Sequence, residues 1–197
     1  MSGHGPPALA DRFDAIVIGA SSGGVAALRM LLEALPQDLP VPVLVVLHLP
    51  RDRPSQLAGL FGHGCLLPVA EAEDKARLRP GTVWIAPPDY HLLVEDRNTL
   101  ALSLDEPVMF SRPAIDPLFE SAAMVFGPRL LALLLTGASS DGSEGVAAVR
   151  AAGGVAWVQS PQDAVSSTMP AAALAHAGAD SVLTLDQIRE RLRGFNR

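Results

Sequence analysis

Apolar runs alternate along this chain with stretches in which apolar residues recur every three or four positions. Runs at 13–18, 41–47, 83–86, 130–135, 155–158 and 181–185 read as strands. Several are apolar at consecutive positions, as parallel strands covered on both faces tend to be. Between them lie helical patterns. After Gly24, residues Val25, Leu28, Leu31, Leu32 and Leu35 recur at helical spacing, with Arg29 and Glu33 four apart on the polar side, and Pro36 ends the run. Further helices are predicted over 54–61, 115–126, 144–152, 170–177 and 187–192, with Pro170 at a first helical position, Asp186 as an N-cap, and Gly153 and Gly194 as stops. One stretch breaks the alternation: 91–94 and 100–104 flank the polar run 95–99, an antiparallel hairpin with a five-residue loop. The pattern predicts one doubly wound α/β domain over 13–193, a mostly parallel sheet with helices on both faces plus a small antiparallel hairpin. Residues 1–12 read as a disordered lead-in.

Composition narrows the function classes. A chain of 197 residues builds one substantial core. No apolar run approaches the roughly 20 residues that span a membrane, and the N-terminus has no signal-peptide hydrophobic region. The single cysteine, Cys65, rules out an intrachain disulfide and fits a reducing, cytoplasmic setting. A net charge of −6 without a Lys/Arg cluster argues against nucleic acid or an anionic membrane as the main partner. No His, Cys or carboxylate spacing suggests a metal site, so no metal or other cofactor is expected.

The chemistry is predicted where strands end, since open α/β sheets bind ligands beyond the carboxyl ends of their strands. The first strand runs into Gly19-Ala20-Ser21-Ser22-Gly23-Gly24, the second into His48, and the fourth through Thr136-Gly137-Ala138-Ser139-Ser140 into Asp141. A serine hydroxyl, a histidine to take its proton and a carboxylate to orient the histidine make a nucleophilic hydrolase. Taken singly, each has a plainer reading: Ser21 as a helix cap, His48 as a loop histidine, Asp141-Gly142 as a turn. The glycine-rich segment also fits a phosphate loop, which would make the chain a nucleotide-binding domain. His91, after the turn Pro87-Pro88-Asp89-Tyr90, is expected to line the same cleft, and Arg112 and Asp116 to shape it. Gly19-Ala20-Ser21-Ser22-Gly23 matches the G-x-S-x-G nucleophile elbow, but that family orders its residues serine, acid, histidine. Here the order is Ser21, His48, Asp141.

These segments resemble those of the bacterial chemotaxis receptor methylesterases of the CheB type. Gly19–Gly24 is similar to the family's nucleophile segment, His48-Leu49-Pro50 to its histidine segment, and Leu135–Gly142 to its aspartate segment; Ala72-Glu73-Asp74, Ile85-Ala86-Pro87, Arg112-Pro113-Ala114-Ile115-Asp116 and Met169-Pro170 add supporting matches. The resemblance implies hydrolysis of glutamate methyl esters on the cytoplasmic helices of methylated chemoreceptors, with deamidation of glutamines in some members. It places nucleophile, base and orienting acid on Ser21, His48 and Asp141; backbone N–H groups at the helix start, at Ser22, and in the loop before Asp141, at Ala138, are expected to meet the oxyanion. Two departures stand out. Ala138 and Ser139 replace a methionine and a glycine of the family pattern, and a positive φ at Ser139 would strain that loop. About a dozen residues precede the first strand, so the receiver domain of many members is not expected. Together these departures leave a non-catalytic adaptor of the same fold as the competing expectation.

Overall fold

The computed structural model describes residues 9–48 and 54–195. Its centre is a seven-stranded parallel sheet in the order β3-β4-β2-β1-β7-β8-β9, built from β1 (Ala15–Ala20), β2 (Val43–Leu47), β3 (Val69–Glu71), β4 (Val83–Ile85), β7 (Leu130–Leu134), β8 (Val155–Gln159) and β9 (Ser181–Leu183). The chain builds one half of the sheet outward from β1, then returns to add β7, β8 and β9 on β1's other side. That reversal places a crevice at the carboxyl ends of β1 and β7.

Alternation along the strands divides the core. Ile16, Ile18, Val43, Val45, Leu131 and Leu133 face one layer, formed by α2 (Gly24–Leu32), α3 (Leu57–Gly62) and α7 (Leu185–Arg193). Val17, Leu44, Val46, Ala132 and Leu134 face the other, where α4 (Ile115–Phe126), α5 (Ser143–Ala151) and α6 (Thr168–His176) pack with the hairpin of β5 (His91–Asp96) and β6 (Thr99–Ser103). The doubly wound fold with its antiparallel addition is therefore as the hydrophobic pattern predicts.

Differences fall at edges and ends. The hairpin closes with Arg97 and Asn98 alone and a bulge between Val94 and Asp96, so the polar run at 95–99 belongs mostly to the strands. The unpredicted β3 is three residues long, half-exposed and at the sheet edge, which leaves little apolar signal. Helix α6 begins at Thr168, so Pro170 is its third residue. Thr184, not Asp186, caps α7, through a capping box with Gln187. Within the expected lead-in, α1 (Leu9–Arg12) is one helical turn; residues 1–8 lie outside the described residues, as do Leu49 and Pro50 of the histidine segment. No helix among the described residues is long and apolar enough to cross a membrane.

Candidate active site

Strand register brings the first two candidate residues together. Ala20 of β1 is opposite Leu47 of β2, so the next residues, Ser21 and His48, leave adjacent strands side by side; His48 N–H donates to Ala20 O at 3.1 Å. On the other side Gly19 is opposite Leu134, and Ser21 N–H donates to Thr136 O at 2.9 Å. Beyond Ser21 the chain turns sharply: Gly24 N–H reaches back to Ser21 O at 2.7 Å, and Gly23 has φ of +80° with no room for a Cβ beside Val165. Ser21 is thereby left half-exposed at the start of α2. Two of the loop's amides are already spent, that of Ser21 on Thr136 O and that of Gly24 on Ser21 O, which disfavours a phosphate cradle. A groove of about 700 Å³ runs from Ser21 along α2, lined by Val25, Met30, Leu60, Arg29 and Arg189 among others.

The aspartate loop is pressed against this turn. A Cβ on Gly137 would lie 2.5 Å from Met169 Cε and 3.0 Å from Ser21 Cβ. Gly137→Ala is therefore expected to displace the serine more than it loosens the fold. Small misplacements of a reacting group cost up to about 100-fold in rate, so a fall in kcat of about tenfold or more is expected, with a melting shift of only a few degrees. Ester hydrolysis and thermal melts of the same preparation check it; unchanged kcat counts against the contact's importance. Thr136, buried, ties the loops together. Its Oγ1 donates to Ser22 O at 2.8 Å and accepts from Ser166 N–H at 2.9 Å, while its own N–H donates to Gln159 Oε1 at 2.9 Å.

Asp141 is fully buried, and three donors hold its carboxylate. Oδ2 accepts from His48 Nε2 and from Ile115 N–H, both at 2.6 Å, and Oδ1 accepts from Asp116 N–H at 3.0 Å. The two amides open α4, whose dipole favours an anion there. Burial pushes the carboxyl upward, but the His48 bond and the two amides outweigh it, and the group stays ionised below its ordinary range. With the acid charged, the proton on Nε2 lies between His48 and Asp141, which leaves Nδ1 as the free basic nitrogen. The Ser21 hydroxyl forms no hydrogen bond among the described residues, so the serine–histidine link is open. Links of this kind commonly tighten only as the reacting group seats.

The outer candidates divide. Ser22 and Ala138 are exposed beside Ser21 and Asp141, and their N–H groups have no acceptor among the described residues. Ser139 is not among the residues with positive φ, and its Oγ accepts Asp141 N–H at 3.2 Å. The departure from glycine therefore carries no left-handed strain and helps fix the aspartate. His91, Arg112 and Asp116, expected to line or shape the cleft, are each held by partners of their own. His91 is buried, with Nε2 on Glu106 O at 3.1 Å and Nδ1 accepting from Ala114 N–H at 3.2 Å. Arg112 spends its guanidinium on Asp89 and the carbonyls of Leu104 and Asp105. Asp116 is buried, its Oδ1 accepting from Gly142 N–H at 2.9 Å and Gly145 N–H at 2.7 Å.

Burial, and then the charge of Asp141, raise the Asp116 carboxyl to about 7. A folded value above the unfolded one means that the folded state holds this proton more tightly. Its stabilising contribution is complete below about pH 4 and is lost as pH rises to about 7. The unfolding free energy of wild type is expected to fall relative to Asp116→Asn between those limits, read by urea titration at several pH values. Parallel curves would contradict the assignment. Among the described residues no group of three or more His, Cys, Asp or Glu is placed to hold a metal ion.

Gln159 and Ser166 were not expected at the site, and Thr136 and Met169 were expected only as members of their segments, without these roles. A polar glutamine ending an otherwise apolar strand was the available signal for Gln159, which is buried.

Known proteins are similar to this chain in sequence and fold. The family described as CheB methylesterase matches residues 16–192. A putative protein-glutamate methylesterase/protein-glutamine glutaminase of Leptospira interrogans is 39% identical over 178 residues, covering 90% of this chain and 92% of the relative. Protein-glutamate methylesterase/protein-glutamine glutaminase 1 of Anaeromyxobacter dehalogenans is 38% identical over 190 residues, covering 95% of this chain; the chain spans about half of that relative, 54%. The crystal structure of the Thermotoga maritima CheB methylesterase catalytic domain superposes with a TM-score of 0.87 at 32% identity, covering 93% of this chain and 99% of that one.

Proposed function

Since the chain belongs to the CheB methylesterase family, we propose that it hydrolyses glutamate methyl esters on the cytoplasmic helices of methylated chemoreceptors and deamidates glutamines there by the same chemistry. The observation that carries this reading is the 2.6 Å bond from His48 Nε2 to a buried, ionised Asp141, with Ser21 on the neighbouring strand end. In this reading Ser21 Oγ attacks the ester carbonyl and His48 Nδ1 takes its proton. Asp141 holds the ring and stabilises the imidazolium. The free amides of Ser22 and Ala138 receive the oxyanion; one such donor is worth ~3–4 kcal/mol of transition-state stabilisation. Methanol leaves with the histidine's proton, and water, activated by the same nitrogen, releases the glutamate carboxylate and restores Ser21. For a glutamine the leaving group is ammonia, and the remaining steps are the same. A cytoplasmic location goes with this reading, because the receptor helices it would act on are cytoplasmic.

The adaptor reading loses its main motive, because Ser139 supports the Asp141 loop rather than straining it. The direct test uses a receptor cytoplasmic fragment carrying isotopically labelled methyl esters. Labelled methanol is expected in the vapour phase, and glutamine-to-glutamate conversion in the intact mass. Release no faster than from buffer alone, at enzyme concentrations equal to the receptor, rejects the proposal.

A further inference from the structure

Asp116 and Asp141 exchange helix caps. Neither α4 nor α5 has a capping side chain at its own N-cap, Ala114 or Gly142. Asp141, just ahead of α5, instead accepts the first two amides of α4, and Asp116, in the first turn of α4, accepts Gly142 and Gly145 at the start of α5. The helices can meet this closely because Gly145 has no side chain: a Cβ there would lie 2.6 Å from Phe119 Cβ. We propose that Asp116 is a positioning residue, which clamps the start of α5 so that Asp141 stays on His48. The proposal rests on the hydrolase reading of Ser21, His48 and Asp141.

The hydrogen bonds at the start of α5 give the clamp its hold. Asp141 is one residue before Gly142, so the Oδ1 bond to Gly142 N–H fixes the peptide that follows the acid. Without that bond, the amides of Gly142 and Gly145 at a buried helix start lose their acceptor.

The test compares wild type with Asp116→Ala and Asp116→Asn, since asparagine keeps an oxygen for Gly142 and Gly145. Asp116→Ala is expected to lower kcat about tenfold or more with KM within about twofold, and Asp116→Asn to restore most of the loss. Equal losses in both variants, or a loss confined to KM, overturn the proposal. The proton on His48 Nε2, read by NMR in the resting chain, is expected to keep its wild-type resonance in Asp116→Asn and to shift in Asp116→Ala as its bond to Asp141 loosens. An unchanged resonance in the alanine variant overturns the proposal as well. If the alanine variant does not fold, the asparagine variant still decides: a folded Asp116→Asn protein with kcat more than about tenfold below wild type would mean that the oxygen is not what holds Asp141. The NMR reading needs no turnover, so a chain that releases no methanol would reject the esterase reading while leaving this test intact.

Discussion

Ser21→Ala is expected to slow methanol release from a methylated receptor by at least about 10⁴-fold while leaving the fold unchanged. The size follows from chemistry. Without Oγ no acyl intermediate forms, and water must attack the ester directly with only binding and the oxyanion amides to help. The specificity follows from the structure. Ser21 is half-exposed, and the bonds that shape its turn are made by its backbone, to Thr136 O and from Gly24 N–H. Alanine keeps those bonds and keeps the Cβ that faces Gly137. The melting temperature is therefore expected to stay within a degree or two of wild type. Ser22 is no substitute, since it is one residue further around the turn and its carbonyl is held by Thr136 Oγ1. Single-turnover methanol release with matched thermal melts is the measurement. A folded Ser21→Ala protein within tenfold of wild type would remove the serine from the mechanism.

The parts of the site that were legible in the sequence are those that depend on strands alone. β1, β2 and β7 are buried on both faces, so their apolar runs mark them plainly, and the residues just past their ends were the natural places to look. Parallel pairing in register then brings Ser21 beside His48 without further information. What was not legible is how side chains from distant segments are used. The caps exchanged by Asp116 and Asp141 join segments about 25 residues apart, and no local pattern separates a capping aspartate from one facing a cleft. His91 shows the same limit: a histidine after a proline-rich turn looks available, but burial and two backbone partners occupy both ring nitrogens. Thr136 and Gln159 were hidden for a related reason, since their bonds cross between strand ends that only the sheet order makes neighbours. The Ser139 departure reversed in meaning. By sequence it threatened strain, whereas its hydroxyl supports the amide of Asp141.

Asp141→Asn is expected to lower kcat by about 10³–10⁴-fold, close to the effect of removing the nucleophile. The argument turns on donors. All three groups at Asp141 are hydrogen-bond donors: His48 Nε2 and Ile115 N–H at Oδ2, Asp116 N–H at Oδ1. Asparagine has one acceptor oxygen, so its NH₂ must face at least one of them. If the NH₂ takes the Oδ2 position, Nε2 has to become an acceptor, the ring proton moves to Nδ1, and the nitrogen meant to receive the serine's proton is blocked. If it takes the Oδ1 position, the tautomer survives, but Asp116 N–H is left facing a donor, and the imidazolium loses its counter-charge. Either arrangement leaves a buried N–H unsatisfied, at a cost of about 1–3 kcal/mol in stability. A lower melting temperature is therefore expected alongside the rate loss, unlike Ser21→Ala. The charge change also reaches Asp116, whose carboxyl should relax toward the ordinary aspartate range once its anionic neighbour is neutral. Rates and ¹⁵N spectra of the His48 ring, recorded on one preparation, distinguish the two arrangements. A folded Asp141→Asn enzyme with kcat within tenfold of wild type would mean that His48 needs no anionic partner, and the hydrolytic relay drawn from this geometry would have to be abandoned.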